Sequence, residues 1–84
     1  MLTRYIDAAM KRAKIKRLPD GTLFAEIPGL NGVWANEETE DLCRKVLQEV
    51  LEDWLVLKIR ENDPIPAVGR VTLRYTQSLT PKAA

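Results

Sequence analysis

The chain has 84 residues and a net charge of +1, and hydrophobic and charged residues make up 45% and 30% of it. This length suits one compact domain, and the composition is typical of a globular protein and excludes intrinsic disorder. A domain of this size has a small core, so we expect a homodimer or tetramer. No stretch is long and apolar enough for a membrane span or a secretory signal, so we expect a cytoplasmic protein without membrane contact.

The sequence contains one cysteine and no histidine, and this limits the chemistry open to the chain. A single cysteine excludes an intramolecular disulfide, and the usual zinc sites have too few ligands. The absence of histidine removes the commonest general base and every Ser-His or Cys-His pair. We therefore expect no metal and no cofactor, and we interpret Cys43 as a small buried hydrophobic residue.

The N-terminal half predicts a short helix followed by three strands. Apolar residues recur at three- and four-residue spacing, which predicts a helix over 3–12. The Pro-Asp-Gly turn signal at 19–21 separates two segments that favour β-structure, and it predicts a hairpin over 14–27. A second turn, rich in glycine, leads into a third strand over 33–35.

The C-terminal half predicts one long helix and a final strand. An apolar stripe at helical period predicts the helix over 40–61, with Thr39 as its N-cap and two prolines beyond its end. The stripe consists of Leu42, Cys43, Val46, Leu47, Val50, Leu51, Trp54, Leu55 and Leu57. Within it, Trp54 and Leu57 are interpreted as core residues. Alternation then predicts a strand over 70–75, and a flexible tail follows over 77–84.

Taken in order, these elements predict an α+β fold. It is a two-layer sandwich within a single domain over 1–76, and the long helix lies across one face of one sheet. In the second strand, Leu23, Ala25 and Ile27 share one face because side chains alternate along a strand. This apolar set is expected to face the long helix and form the core.

The aromatic residues of the sheet indicate a partner interface. Phe24 and Trp34 fall on the sheet face away from the long helix, where they are left partly exposed. Together with Tyr5 they form the candidate partner interface, because aromatic anchors dominate the energetics of interfaces. The alternative is that the N-terminal helix folds over this face and buries both aromatic side chains.

Charge is distributed unevenly along the chain. Acidic residues prevail in the middle, where they are interpreted as the solvated face of the long helix. Basic residues prevail near the N-terminus, and five of them are candidate contacts to a nucleic acid: Lys11, Arg12, Lys14, Lys16 and Arg17. The alternative interpretation of this cluster is solvation of a short helix and protection of an edge strand.

A series of short motifs occurs in a fixed order along the chain. It consists of Asp20-Gly21, Ala25-Glu26-Ile27-Pro28-Gly29-Leu30, Gly32-Val33-Trp34-Ala35, Thr39, an amphipathic helix and Pro64-Ile65-Pro66. With this series the chain resembles the HicB-like antitoxin family over most of its length. It is similar to a subgroup that has an N-terminal helix and no separate DNA-binding domain. The resemblance implies a partial ribonuclease-H-like fold without nuclease activity.

The resemblance also implies a function and a partner. The partner is a toxin of the HicA type, a small mRNA-cleaving protein, which the antitoxin neutralises by covering the toxin's active surface. Two alternatives stay open. One is an orphan HicB-like homo-oligomeric scaffold or regulatory protein without a toxin, and the other is a weak nucleic-acid-binding module.

Two activities are not expected. A ribonuclease-H-type site needs carboxylates on the first strand, the main helix and the last strand, but the first and last strands offer basic residues, so the chain is not expected to be an enzyme. Members of the family often carry a helix-turn-helix or ribbon-helix-helix module after the final prolines. The residues after Gly69 have room for one strand and no recognition helix, so DNA binding is not expected.

Overall fold

The chain forms two helices and one three-stranded antiparallel sheet, in a computed structural model that describes residues 2–69 and 71. In chain order the elements are α1 (Leu2–Lys11), β1 (Lys14–Arg17), β2 (Leu23–Glu26), β3 (Trp34–Glu37) and α2 (Glu40–Arg60). The strands lie in the order β1-β2-β3, and α2 packs against β2 and β3. The predicted α+β two-layer fold is therefore confirmed.

Most element boundaries agree with the sequence-based ones to within one residue, and β3 is the exception. It begins at Trp34 and continues to Glu37, two residues beyond the predicted end at 35. The extension carries Asn36 and Glu37, which pair with β2 although neither residue favours strands. The predicted strand over 70–75 lies outside the described residues except for Val71, which forms an isolated bridge with Val68. The tail over 77–84 lies outside them as well.

The β1–β2 hairpin is closed by a compact turn. The amide of Thr22 and its hydroxyl both donate to one carboxylate oxygen of Asp20, at 2.9 and 2.6 Å. These bonds hold the pKa of the Asp20 carboxyl below its usual range, with the hydroxyl bond as the largest cause. Gly21 has a φ of +90°, a conformation that glycine adopts without strain. The turn sets the register that pairs Lys16 with Phe24.

The helix α2 begins and ends where its capping residues predict. The hydroxyl of Thr39 accepts a hydrogen bond from the amide of Leu42 at 3.2 Å, which confirms Thr39 as the N-cap. At the other end, Asn62 has a φ of +58°, and the amide of Asp63 donates to the carbonyl of Lys58 at 2.9 Å. This is the pattern of a helix that ends in a left-handed residue.

One buried core joins both helices to the inner face of the sheet. From α2 it contains Cys43, Leu47, Leu51 and Leu55, which recur every fourth residue on one side of the helix. From the sheet and the β2–β3 connection it contains Leu23, Ala25, Ile27, Leu30, Val33 and Ala35. The alternation predicted for the second strand is thereby confirmed. From α1, the core residues are Tyr5, Ile6 and Ala9.

Asn62→Ala is expected to lower the free energy of unfolding by about 1 kcal/mol, because alanine lacks the short polar side chain that lets asparagine tolerate the left-handed conformation. Asn62→Gly should be at least as stable as the wild type in the same urea titration. Asn31→Ala is the matched control, because Asn31 is an exposed turn residue that is not among those with positive φ. Equal decreases in the free energy of unfolding of the two alanine variants would contradict this account of the helix end.

Candidate partner-binding face

The side of the sheet away from α2 is the candidate functional site, and we call it the outer face. Because side chains alternate along each strand, this face collects every second residue of β1, β2 and β3. The cross-strand pairing places its members in two rows, Lys14–Glu26–Trp34 and Lys16–Phe24–Asn36. The intervening residues, such as Ala25 and Ala35, are buried beneath α2.

An aromatic pair occupies the centre of the outer face. The rings of Phe24 and Trp34 stack with centroids 5.9 Å apart and planes inclined by 25°. They are diagonal neighbours on adjacent strands, because Trp34 lies two residues before the cross-strand partner of Phe24. Phe24 is half-buried, whereas Trp34 is 54% exposed. A tryptophan this exposed has a large apolar area that a partner can cover.

Two lysines of β1 flank the aromatic pair. The amine of Lys16 lies 5.9 Å from the centroid of the Phe24 ring, a cation–π arrangement. Lys14 lies in the row of Trp34, with Glu26 between them. The outer face thus combines an apolar centre with a rim that bears two positive charges and one negative charge.

A hydrogen-bonded network holds one end of the outer face. The side-chain amide of Asn36 donates to the hydroxyl of Thr22 and to the carbonyl of Leu23, both at 2.8 Å. Thr22 in turn donates to Asp20 in the hairpin turn. These bonds connect β2 with β3 beside Phe24, so the aromatic pair lies on a constrained surface and little ordering is needed on binding.

Tyr5 is not part of this face, and its place in the candidate interface was wrong. Its ring is fully buried, and its hydroxyl donates to the carbonyl of Pro66 at 2.6 Å. The helix α1 packs against α2, so the apolar stripe of α1 lies in the core and cannot cover the outer face. The alternative in which α1 buries Phe24 and Trp34 is therefore wrong as well.

Tyr5→Phe is expected to lower the free energy of unfolding by about 1–2 kcal/mol at neutral pH, because the carbonyl of Pro66 loses its donor. Burial raises the pKa of the Tyr5 hydroxyl above its ordinary 10.0. The unfolded chain therefore ionises first, and the contribution of Tyr5 is complete below about pH 10 and is lost as pH rises through the folded-state pKa.

Urea unfolding of the wild type and Tyr5→Phe at neutral pH and near pH 10.5 checks this. The difference between their free energies of unfolding should be smaller near pH 10.5, by up to about 1 kcal/mol. Tyr75→Phe is the control, since Tyr75 is the other tyrosine of the sequence. A gap that stays constant with pH would exclude the phenol of Tyr5 as the cause.

The five basic candidates do not form one surface. Lys14 and Lys16 lie on the outer face, whereas Arg17 points to the opposite side and donates to the carbonyl of Gly21 at 2.9 Å. The guanidinium of Arg12 lies against the turn at Gly69. Lys11 is exposed in the last turn of α1. The position of the two lysines of β1 beside the aromatic pair was not predicted from the sequence, because the cross-strand register produces it.

Within residues 2–69 and 71, no group of three or more His, Cys, Asp or Glu residues could hold a metal ion. No helix in this part of the chain is long and apolar enough to cross a membrane. Cys43 is fully buried, as predicted, and its sulfur lies 3.6 Å from the carbonyl of Leu23.

Comparisons with known proteins place these features in context. A model of the UPF0150-like family matches residues 4–66. The crystal structure of TTHA0281 from Thermus thermophilus is similar to this chain, with 36% sequence identity and a TM-score of 0.85. The similarity covers 90% of this chain and 95% of that one. A search of curated proteins gave no match. The family match spans the whole sheet and α2, and therefore includes the outer face.

Proposed function

This chain belongs to the UPF0150-like family, which is the HicB-like family, and on that premise we propose that it is an antitoxin that neutralises a small HicA-type toxin. The toxin cleaves mRNA, so both proteins would act in the cytoplasm. The antitoxin covers the active surface of the toxin in a stoichiometric complex. It performs no reaction itself, and inhibition depends on affinity alone.

The exposed aromatic pair of the outer face is the observation that supports this proposal best. Aromatic side chains at the centre of an interface commonly account for most of its binding energy. Trp34 keeps 54% of its surface exposed, the highest exposed fraction of any large apolar residue in the described part of the chain. Phe24 supports the Trp34 ring from one side, so the ring is oriented before binding. The pair is therefore the expected anchor for the toxin.

The rim of the outer face adds specificity to this anchor. Lys14 and Lys16 would be opposed by acceptors or carboxylates of the toxin, and Glu26 by a donor or a basic group. Such rim charges affect the association rate and partner selection more than they affect affinity. The sheet face is also supported by the buried core beneath it, so binding would need little rearrangement.

Co-expression with the protein encoded next to this chain tests the proposal. The neighbour alone should arrest cell growth, co-expression should relieve the arrest, and the two proteins should be recovered together in a fixed ratio. The matched control is co-expression of the neighbour with a truncated, unfolded form of this chain. A non-toxic neighbour and recovery of a self-associated oligomer alone would favour the orphan scaffold and contradict the antitoxin proposal.

A second candidate is weak binding of single-stranded nucleic acid. Lysines beside stacked aromatic rings are the elements of a stacking platform for bases, and the outer face has both. Glu26 lies in the same row as Lys14 and Trp34, and its carboxylate repels phosphates. Binding is tested by adding an oligoribonucleotide at two salt concentrations and following the intrinsic tryptophan fluorescence. Quenching that weakens steeply with salt would support this candidate, and no quenching would exclude it.

A further inference from the structure

Four residues of the C-terminal half of α2 form a second exposed surface, which we call the α2 patch. They are Asp53, Val56, Leu57 and Arg60, at spacings of three, four and seven residues. Residues with these spacings lie on one side of a helix. The patch is separate from the buried stripe that ends at Leu55.

The centre of the α2 patch is apolar and exposed. Val56 is 50% exposed and Leu57 is 52% exposed, so the interpretation of Leu57 as a core residue was wrong. Leu57 comes two residues after the buried Leu55, which places it almost on the opposite side of α2. Two adjacent branched side chains in water on a helix of a small domain are candidates for a contact with another molecule.

The two ends of the α2 patch carry opposite charges. Asp53 lies at one end and Arg60 at the other, and both are exposed. Within the described part of the chain, neither makes a salt bridge or a side-chain hydrogen bond. Elsewhere on α2, by contrast, Arg44 pairs with Glu40 at 3.2 Å.

This order of groups is complementary to itself in an antiparallel arrangement. A two-fold axis that passes between Val56 and Leu57 brings Val56 of one copy against Leu57 of the other. The same axis brings Asp53 of each copy against Arg60 of the other, so two ion pairs flank an apolar centre. A parallel arrangement would instead oppose like charges, and an acidic or basic partner would be repelled at one end.

We propose that a second copy of this chain docks on the α2 patch, with the two α2 helices antiparallel. The contact spans about two helical turns, so it buries less than a standard interface and should be weak and concentration-dependent. The outer face lies in the other layer of the fold and stays accessible in this dimer. The inference therefore does not depend on the proposed function.

Sedimentation velocity over a concentration series, from the micromolar to the millimolar range, tests the dimer. Each of the single variants Asp53→Arg and Arg60→Asp turns both ion pairs into repulsive contacts and should weaken self-association about 10- to 30-fold. The double variant Asp53→Arg/Arg60→Asp exchanges the two charges and restores the pairs. It should return association to within about 3-fold of the wild type.

Lys45→Glu is the matched control, because it reverses an exposed charge of α2 two turns away from the patch, and association should not change. Thermal melts followed by circular dichroism identify any variant that fails to fold, and the double variant then provides the decisive comparison. A wild-type chain that stays monomeric throughout the series would overturn the proposal. The proposal would also be overturned if self-association is weakened in the two single variants and is not restored in the double variant.

Discussion

Trp34→Ala is expected to weaken binding of the proposed toxin partner by about 2 kcal/mol or more, which is about 30-fold in Kd. The ring is the most exposed large apolar side chain of the outer face, at 54%, and it stacks on Phe24. Truncation removes the part of the anchor that a partner would cover and leaves Phe24 without its stacking neighbour. Calorimetric titration of the purified toxin with wild type and variant measures the change.

Leu42→Ala is the matched control for Trp34→Ala. Leu42 is also a large exposed apolar residue, at 43%, but it lies on α2 in the other layer. Its truncation should leave toxin binding within about 2-fold of the wild type if the outer face is the contact. Since Trp34 is more than half exposed, its loss should cost less than about 1 kcal/mol of stability, which a urea titration checks. Equal toxin affinity of the Trp34 variant and the wild type would locate the contact elsewhere.

Leu51→Ala is expected to lower the free energy of unfolding by about 3 kcal/mol. Leu51 is fully buried near the middle of α2 and belongs to the stripe that packs on the sheet. Its removal costs the transfer free energy of the lost methyl and methylene groups and adds a term for the cavity. A domain of this length has a total stability of about 4–12 kcal/mol, so the loss is a large fraction of it.

Thermal and urea unfolding of Leu51→Ala, with Leu42→Ala as control, measure this difference within one helix. The melting temperature of the Leu51 variant should fall by roughly 15 °C, whereas that of the Leu42 variant should fall by a few degrees at most. The two substitutions remove the same atoms from the same helix. Similar decreases in the free energy of unfolding of both variants would mean that α2 does not pack on the sheet through the buried stripe.

Local patterns in the sequence were sufficient to predict the elements and the class of the fold. The long helix is indicated by its apolar period and by capping chemistry at Thr39, both of which are local properties. The Pro-Asp-Gly turn predicts the hairpin for the same reason. Strand alternation also placed Phe24 and Trp34 together on the face away from α2, so the centre of the candidate site was predictable.

The tertiary structure decided the features that depend on how elements pack. The stripe of α1 predicts that one side of this helix is buried, but only packing shows that Tyr5 is buried against the core and bonded to Pro66, 61 residues away. Leu57 belongs to the predicted apolar stripe of α2 and is nevertheless exposed, because it lies about 200° around the helix from the buried Leu55. The position of Lys16 over Phe24 likewise follows from strand register. Periodicity identifies the apolar side of a helix or strand, whereas the neighbouring elements determine which side chains on that side are buried.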